Sequence, residues 1–330
     1  MILTVTMNAS LDKTYRVARL DTGTVMRVRE VSDTAGGKGL NVARVAALLG
    51  EEVRATGFLG GFNGGRVRTL LSGSGVEDAF VDTGVETRAC INVMDDATGE
   101  STEFLEPGAP VESGQYAAFI DRYVELVAAS DAVTVSGSLP KGAPEGFYAR
   151  LITLAREAGK PIVLDASGQL LREGVAAYPT LVKPNRDEIR ELLHETEPLD
   201  TDGLVAAIHR LLESGLPCVA VSLGAEGCLF GCHEGVFRGV VPNVQAVNPV
   251  GCGDAMVAAF AVGLARRMPP LETLRLALAV SAASAQCPKT GGFQQEDLAN
   301  LLPVVDVVHN FRISQPSSLL WQPLPYPAHI

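Results

Sequence analysis

The sequence predicts an α/β fold with a mostly parallel central sheet, and three features of the 330-residue chain lead to it. Short apolar or β-branched runs recur along the chain, as expected for strands buried on both faces of a parallel sheet. Amphipathic helical patterns separate these runs, and such alternation places helices on both faces of the sheet. The 34 glycines and 19 prolines punctuate the segments.

The predicted elements follow one another from an apolar first strand to a helical C-terminal part. The predicted strands are Ile2–Met7, Val53–Phe58, Ala132–Ser136, Ile162–Asp165, Thr180–Lys183 and Cys218–Ser222. The predicted helices between them are Leu40–Leu49, Tyr116–Ala128, Glu145–Ala158, Glu188–His194 and Leu204–Ser214. From Gly253 onward we expect an almost wholly helical chain, with helices over Asp254–Arg266 and Leu271–Cys287, followed by an extended proline-rich tail over Ser314–Ile330.

Two stretches interrupt this alternation, Thr14–Ser32 and Thr87–Glu106. They alternate polar and apolar residues without a helical period, and the turn at Asp95–Gly99 predicts a hairpin of two short strands. We predict that the two stretches form a small β-sheet, inserted into the α/β body and covering a site. Two independent surface hairpins are the alternative.

The chain carries 27 basic and 38 acidic side chains, a net charge of −11. It has no block of Lys and Arg, and nucleic-acid affinity depends on neutralising phosphates, so we expect no nucleic-acid partner. If the substrate is an anion, a few local Lys or Arg residues must bind it against the field of the whole molecule.

Six dispersed cysteines without a CxxC pair favour a reducing compartment rather than disulfides or a zinc site. Met1–Met7 has no basic flank and predicts a buried strand rather than a signal peptide. The longest apolar run, Ala255–Ala265, is about half the length that a membrane span requires. We therefore expect a soluble cytoplasmic protein with no membrane partner.

The segment Val247–Asp254 carries the most informative chemical pattern of the chain. Gly251, Cys252 and Gly253 are small residues at the start of an apolar helix, so the backbone can turn tightly and direct successive N–H groups at one anion. Asp254 follows in the first helical turn. Transfer of a phosphoryl group to a hydroxyl requires such a carboxylate, because the hydroxyl must lose its proton. A glycine loop with an acidic helix cap is the alternative.

A second glycine loop, Ala35–Ala43, also leads into a predicted helix. Its glycines allow a ligand to approach the backbone closely, Lys38 supplies positive charge, and Asn41 offers both a donor and an acceptor. The spacing fits neither a Walker A loop nor a dinucleotide fingerprint. A site for a sugar or phosphosugar is the better interpretation.

In this order the two loops resemble the paired signatures of the ribokinase-like (PfkB) carbohydrate kinase family. The resemblance extends over about residues 1–302 and is greatest to the hexose-phosphate branch, which includes 1-phosphofructokinase, tagatose-6-phosphate kinase and the minor 6-phosphofructokinase. It implies a three-layer α/β/α fold with a small β-sheet lid, a kinase domain over residues 1–312 with lid segments at about 13–33 and 87–107, and a tail over residues 313–330. Further matching segments are Asn8–Asp12, Phe58–Gly64, Thr87–Arg88, Ser136–Pro140, Lys183–Glu188 and Ser222–Gly227.

The resemblance also implies a role for each matching residue. Asp254 would be the base, and the amides of Gly251, Cys252 and Gly253 would hold the transferring phosphoryl group. Asn185 and Glu188 would position Mg²⁺, mostly through its water shell. The implied sugar-phosphate site comprises Asp12, Arg27, Gly37, Lys38, Asn41, Arg88 and Ser138. The implied ATP site comprises Lys183, Asn185, Ser222, Gly224 and Gly227, with Ala283 and Ser284 near the adenine.

Structural roles remain open for several of these residues. Asp12 could cap a turn, Arg88 could be a solvated hairpin charge, and Glu188 occupies a helical position where surface glutamate is common. An acceptor that already bears a phosphate nevertheless needs cations, and Arg88 and Lys38 would supply a fork and a point charge respectively.

The expected activity is transfer of the γ-phosphoryl group of ATP to a hydroxyl of a ketohexose phosphate. Fructose 1-phosphate is the first choice of acceptor, giving fructose 1,6-bisphosphate. Tagatose 6-phosphate, fructose 6-phosphate, an unphosphorylated sugar or a nucleoside are alternative acceptors, and a sugar-phosphate sensor without transfer is an alternative of another class. Two lids pack together in this branch of the family, so the resemblance implies a homodimer through the lid. The open edges of a small sheet also tend to be covered, because exposed edge strands can pair with other chains.

Cys252 departs from the family pattern, which has Ala or Ser at this position. A thiol at a helix N-terminus is expected to have a lowered pKa, so we expect thiol reagents to slow the enzyme and bound ATP to protect it. The other cysteines are expected in the core. The five histidines show no metal-ligand spacing.

Overall fold

The computed structural model describes residues 1–241 and 244–311, and the predicted tail over residues 313–330 lies outside them. Its strands form a large central sheet and a separate sheet of four strands. The strands are β1 (Ile2–Thr6), β2 (Ser10–Val17), β3 (Glu30–Gly36), β4 (Val53–Leu59), β5 (Val76–Asp78), β6 (Val81–Asp82), β7 (Arg88–Asp95), β8 (Ser101–Leu105), β9 (Ala132–Ser136), β10 (Ile162–Asp165), β11 (Leu181–Val182), β12 (Cys218–Ser222), β13 (Cys228–Cys232), β14 (Gly235–Val240) and β15 (Asp306–Phe311). The α-helices are α1 (Lys38–Leu48), α2 (Gly61–Leu71), α3 (Ser113–Ala128), α4 (Phe147–Glu157), α5 (Gly168–Ala176), α6 (Arg186–Leu192), α7 (Thr201–Glu213), α8 (Cys252–Ala265), α9 (Pro270–Gln286) and α10 (Gln295–Leu301).

The central sheet has the strand order β15-β14-β13-β12-β11-β10-β9-β1-β4-β5, and β6 also pairs with β4. The pairs from β12 to β5 are parallel, whereas β12, β13, β14 and β15 are joined by antiparallel pairs. Strands β1 and β9 are buried along their whole length, because helices cover both faces. The predicted mostly parallel sheet is confirmed.

Two hydrophobic cores lie on opposite faces of this sheet. One contains buried residues of α1, α8 and α9, and the other contains those of α3, α4, α5 and α7. Helix α8 is buried almost all round, from Asp254 to Leu264, and packs against both α1 and α9. The arrangement is the predicted three-layer α/β/α fold.

The predicted strands Ala132–Ser136, Ile162–Asp165 and Cys218–Ser222 coincide with β9, β10 and β12, whereas Thr180–Lys183 shortens to Leu181–Val182. The expectation of an almost wholly helical chain after Gly253 is wrong at its end. Strand β15 pairs with β14 in antiparallel orientation, and the pairing covers the edge that β14 would otherwise expose.

The small sheet has the strand order β3-β2-β7-β8 and unites the two stretches that interrupt the α/β alternation. Strand β2 pairs antiparallel with β3 and parallel with β7, and β7 and β8 form the predicted hairpin. Asp95 stabilises the hairpin turn, since its carboxylate accepts hydrogen bonds from the N–H groups of Ala97 (2.8 Å) and Thr98 (3.3 Å). The two stretches are therefore one sheet and not independent hairpins.

Within the described residues, none of the helices is both long and apolar enough to cross a bilayer. All six cysteines are free thiols. Cys90, Cys218, Cys228, Cys232 and Cys287 are buried, which confirms the expectation that they are small core residues.

Candidate active site

The glycine loop before α8 has the geometry expected of an anion-binding turn. Gly251 is the N-cap residue and adopts the left-handed conformation, with φ of 87°. A Cβ atom there would also lie 2.8 Å from Cγ2 of Thr290, so the site admits only glycine. The N–H groups of the first helical turn have no acceptor within the helix. Among the described residues, only the N–H of Cys252 bonds back to a carbonyl, that of Pro249, at 3.4 Å. Donors thus remain for an anion, and the helix dipole adds positive potential.

Asp254 lies in the first turn of α8 with 6% of its surface exposed. Its Oδ2 accepts a hydrogen bond of 2.7 Å from Nδ2 of Asn41 in α1. Burial, and then the charge of Asp165, raise its pKa to about 6, while Asn41 and the nearby lysines act in the opposite direction. The carboxylate is therefore mostly ionised at neutral pH yet close to the pKa at which a general base works well.

Asp165, at the end of β10, holds two lysines beside the carboxylate of Asp254. Its carboxylate lies 3.2 Å from Nζ of Lys183 and 3.4 Å from Nζ of Lys38, and its side chain is 1% exposed. Burial raises the pKa of Asp165, but Lys183 and Lys38 together lower it below its ordinary value. Sequence reasoning missed Asp165, although the signal was present, since ligands of open α/β sheets collect at the carboxyl ends of parallel strands.

The two lysines differ in their access to a ligand. Lys183 is 5% exposed, and its Nζ lies 3.4 Å from the position that a Cβ of Gly253 would occupy, directly beside the anion-binding turn. Lys38 is 42% exposed. Burial opposes its charge, yet Asp165, Asp254 and Glu188 raise its pKa above the ordinary value. The ammonium group of Lys38 therefore stays charged beside the carboxylate of Asp254.

Asp12, in β2, lies against the second glycine loop. Its carboxylate accepts a hydrogen bond of 2.6 Å from Ser10, and burial raises its pKa above the ordinary value. A Cβ on Gly36 would lie 2.0 Å from Cγ of Asp12, so this close approach of β2 and β3 requires glycine. Gly37, with φ of 106°, is the N-cap residue of α1. The structure thus places Asp12 beside the loop that carries Lys38 and Asn41.

Arg88, at the start of β7, is held by backbone carbonyl groups rather than by carboxylates. Its Nε donates to the carbonyl of Asn8 at 3.1 Å, and its Nη1 donates to that of Glu106 at 2.9 Å. The side chain of Asn8 in turn donates to Oγ of Ser138 at 3.1 Å. Arg88 and Ser138 are thereby brought together, and the charge of Arg88 is left for an anion.

The residues expected on the nucleotide side lie at the ends of β11 and β12. Asn185 forms a parallel bridge with Ser222 and is the N-cap residue of α6, with Glu188 completing a capping box. Gly224 and Gly227 have positive φ, and a Cβ on Gly227 would lie 2.1 Å from the carbonyl oxygen of Gly239. These five residues surround one end of β12.

Three expected site residues make no side-chain hydrogen bond to the other expected site residues within the described part of the chain. Arg27 is exposed in the segment between β2 and β3 and has no ion pair with any described residue. Ala283 and Ser284 are buried inside α9, and the Oγ of Ser284 has no hydrogen-bond partner among the described residues. Their expected contacts with the phosphate and the adenine stay predictions.

The expectation of a lowered pKa for Cys252 is wrong. Burial, and then the negative charge of Asp254, raise the pKa of this thiol to about 11. The helix dipole favours the thiolate, but it does not outweigh desolvation beside a carboxylate.

Residues 5–297 of the chain match the pfkB family of carbohydrate kinases. The chain belongs to that family. It is a phosphotransferase that acts on a hydroxyl of a carbohydrate, and the turn at Gly251 with the buried Asp254 lies within the matched region.

Similar proteins indicate the branch of the family to which the chain is most similar. A tagatose-6-phosphate kinase of Staphylococcus epidermidis is 36% identical over 310 residues, which are 93% of this chain and 99% of the relative. The crystal structure of phosphofructokinase-2 from Escherichia coli in complex with potassium has a TM-score of 0.87 at 30% identity, covering 92% of this chain and 98% of that one. The same enzyme in complex with fructose-6-phosphate has a TM-score of 0.84 at 28% identity over the same shares of the two chains. These neighbours support the predicted hexose-phosphate branch, and the chain is a phosphosugar kinase.

Proposed function

We propose that this kinase transfers the γ-phosphoryl group of ATP to a hydroxyl of a ketohexose phosphate, with fructose 1-phosphate as the expected acceptor and fructose 1,6-bisphosphate as the product. The observation that carries the proposal is the position of Asp254, a buried carboxylate in the first turn of α8 next to the left-handed Gly251. A protein that only bound a sugar phosphate would have no use for a base at an anion-binding turn.

The chemistry follows from the arrangement of these groups. The hydroxyl of the acceptor gives its proton to the carboxylate of Asp254, and its oxygen forms a bond to the γ-phosphorus while the bond from that phosphorus to the bridging oxygen breaks. The electron pair of that bond leaves with ADP. The amides at Gly251, Cys252 and Gly253 hold the phosphoryl oxygens during the transfer, and Lys183 neutralises the charge beside them.

Recognition of the phosphate already on the sugar falls to Arg88. Its hydrogen bonds to the carbonyl groups of Asn8 and Glu106 orient the guanidinium without neutralising it, so binding a phosphate does not require breaking an ion pair. Asp12 would accept hydrogen bonds from sugar hydroxyls, because it lies beside the loop of Gly37 and Lys38.

The residues at the start of α6 fit a magnesium ion held through water. Oδ1 of Asn185 already accepts from two N–H groups at 2.9 Å, and Oε2 of Glu188 accepts from the N–H of Asn185 at 2.8 Å. Oε1 of Glu188 would be available to hold the ion through its water shell, and the described residues contain no group of three His, Cys, Asp or Glu side chains suited to direct ligation. Such an ion would neutralise phosphate charge, and it prefers oxygen ligands and retains water.

A second candidate acceptor is tagatose 6-phosphate, favoured by the 36% identity to a tagatose-6-phosphate kinase over nearly the whole chain. Both acceptors are ketohexose phosphates, so they share Asp254 and Arg88 in this proposal. They differ in the position of the phosphate and in one stereocentre of the sugar.

A coupled ADP-release assay separates these functions. The panel comprises fructose 1-phosphate, fructose 6-phosphate, tagatose 6-phosphate, fructose and adenosine, each with ATP and Mg²⁺. Turnover with one or more of the three phosphates and not with fructose or adenosine supports the proposal, and the preferred phosphate identifies the acceptor. Turnover with fructose or adenosine alone contradicts it, and no turnover with any of the five supports a sensor.

The proposal includes a homodimer through the small sheet, in a reducing cytoplasm. Val31 of β3 and Phe104 and Leu105 of β8 are 57%, 58% and 64% exposed, which leaves apolar side chains on its two edge strands. Burying such edges in a second copy removes them from water. Sedimentation of the wild type and of Phe104→Lys tests this: a wild-type dimer that the substitution dissociates supports the interface, and a wild-type monomer contradicts it.

A further inference from the structure

Arg44 lies in α1 and contacts three separate parts of the site. Its Nη2 donates to Oδ1 of Asn41 at 2.5 Å and to the carbonyl of Thr290 at 3.2 Å, and its Nη1 donates to the carbonyl of Ala35. The guanidinium is half-buried, and burial lowers its pKa, while the charges of Asp12 and Asp254 act in the opposite direction. None of the loop motifs assigns this residue a role.

The contact with Asn41 determines which way the amide of Asn41 faces. A guanidinium can only donate hydrogen bonds, so it accepts only the oxygen end of the amide as its partner. The nitrogen end must then face Asp254, and Nδ2 donates to Oδ2 of Asp254 at 2.7 Å. If the amide were flipped, its NH2 group would face the donors of Arg44 and its oxygen would face the carboxylate of Asp254. Both hydrogen bonds would be lost, and unsatisfied polar groups are costly in a buried site.

We infer that Arg44 is a positioning residue for the proton-accepting carboxylate: by fixing the amide of Asn41, it keeps Oδ2 of Asp254 engaged and leaves Oδ1 for the proton of the acceptor hydroxyl. This inference rests on the proposed function of Asp254 as the base. It gives the side chain of Asn41 a second role, in addition to its expected contact with the sugar.

The same guanidinium also supports the anion-binding turn. A Cβ on Gly291 would lie 2.6 Å from Nη2 of Arg44, so the backbone after Thr290 approaches the guanidinium as closely as a glycine allows. Oγ1 of Thr290 accepts from Nδ2 of Asn248 at 3.1 Å, and Oδ1 of Asn248 accepts from the N–H of Val250 at 3.0 Å. One side chain of α1 is therefore connected both to the base and to the loop before it.

Arg44→Lys tests the inference, because lysine keeps the charge and loses the fork that reaches three acceptors. The other groups that face Asp254 are Lys38 from α1, Lys183 after β11, Asp165 from β10 and the thiol of Cys252 from α8. All of them stay in place in the variant. A shift in the titration of Asp254 therefore reports the orientation of Asn41 and not a change in net charge.

We expect Arg44→Lys to lower kcat by roughly tenfold, to change both KM values by less than about twofold, and to move the acid limb of the kcat profile upward by about half a pH unit. The direction follows because a carboxylate that loses a hydrogen-bond donor holds its proton to higher pH. In an Asn41→Leu background the same substitution should move the acid limb no further. Arg150→Lys, at an exposed position of α4, is the matched control and should leave the profile unchanged.

An equal shift in both backgrounds would show that Arg44 acts independently of Asn41, and a fall in kcat without a shift would show a structural role only; either result overturns the inference. If Arg44→Lys does not fold, Arg44→Gln and Arg44→Met replace it. Neither side chain carries charge, but only glutamine can donate a hydrogen bond to Asn41. If the acid limb of the kcat profile lies at higher pH in Arg44→Met than in Arg44→Gln, the inference is supported; if it lies at the same pH in both variants, the inference is overturned.

A second measurement needs no turnover. The pH dependence of the free energy of unfolding, taken as the difference from the same background carrying Asp254→Asn, reports the pKa of Asp254 directly. If the wild type has no kinase activity but Arg44→Lys still shifts the pKa of Asp254, the positioning of the carboxylate by Arg44 is supported. Only the proposed function is then refuted.

Discussion

Replacing Asp254 with asparagine should inactivate the enzyme and stabilise the fold. The wild-type carboxylate is 6% exposed, and burial followed by the charge of Asp165 raises its pKa from 3.8 to about 6. Each pKa unit corresponds to about 1.4 kcal/mol, so ionised Asp254 costs the folded state about 3 kcal/mol. Asparagine removes this cost and keeps an oxygen that can accept from Nδ2 of Asn41.

The pH at which the gain appears follows from the direction of the shift. Below about pH 4 the carboxyl is protonated in both the folded and the unfolded protein, so the two proteins should differ little. Between pH 4 and pH 6 the unfolded wild type releases its proton while the folded wild type retains it, and the wild type loses stability relative to the variant. Above pH 6 the difference should be constant at about 3 kcal/mol.

Urea unfolding from pH 4 to pH 8 measures this difference, and the coupled ADP-release assay measures turnover, which should fall by about a hundredfold or more. Asp202→Asn, at an exposed position in the first turn of α7, is the matched control and should change neither quantity. An Asp254→Asn protein that is no more stable than the wild type at pH 7, or that retains a tenth of its turnover, would refute the reasoning.

Three further predictions concern the charged groups and the thiol of the site. In steady-state kinetics, Arg88→Ala should raise KM for the sugar phosphate by about a hundredfold and leave KM for ATP nearly unchanged. The control Arg150→Ala should change neither KM. An equal rise in both KM values for Arg88→Ala would contradict a role in acceptor binding. Asp165→Asn removes the negative charge that raises the pKa of Asp254, so the acid limb of the kcat profile should move to lower pH, and an upward movement would contradict the assigned cause. Cys252 should react slowly with iodoacetamide near pH 7 and faster as the pH rises toward about 11. Mass spectrometry of the labelled peptide measures this rate, and fast labelling at neutral pH would contradict the effect of burial.

The fold could be predicted from the sequence wherever an element has a clear hydrophobic period. Strands such as β9 and β10 are continuous apolar runs, and both were predicted to the residue. Helix α2 was missed because its first five residues include Gly61, Gly64 and Gly65, which disfavour a helix in isolation. Gly64 fits a close approach there, since a Cβ would lie 3.0 Å from Oγ1 of Thr87 and 3.3 Å from the backbone of Leu59. Tertiary packing thus overrides the local preference.

The antiparallel part of the sheet escaped prediction for another reason. Strands β13 and β14 contain Gly231, Gly235 and Gly239, and a Cβ on Gly231 or Gly239 would overlap side chains of α7 or α9. These glycines let helices pack closely on the strands, but in the sequence they indicate turns. Strand β15 is separated from β14 by the whole of α8, α9 and α10, so no local pattern connects the pair.

Candidate site residues on glycine loops could be predicted because their spacing has a chemical meaning, whereas Asp165 carried only the general signal of a strand's carboxyl end and Arg44 carried none. Both lie in ordinary elements, at the end of a strand and on a helix, where an acidic or basic residue is common. Their importance depends on contacts far apart in sequence: Asp165 with Lys38, and Arg44 with Thr290. Such contacts follow from the three-dimensional fold and not from periodicity.

Asp165 also explains how a chain of net charge −11 can hold positive charge ready for two anionic substrates. Two lysines placed side by side near a phosphate site repel each other. The buried carboxylate of Asp165 lies between Lys38 and Lys183 and offsets this repulsion, and its own pKa is lowered in return. Because buried charges are screened less than the acidic surface, these nearby cations can outweigh the repulsion from the rest of the protein. The same charge raises the pKa of Asp254, so Asp165 links the lysines beside the proposed phosphate site to the pKa of the proposed base.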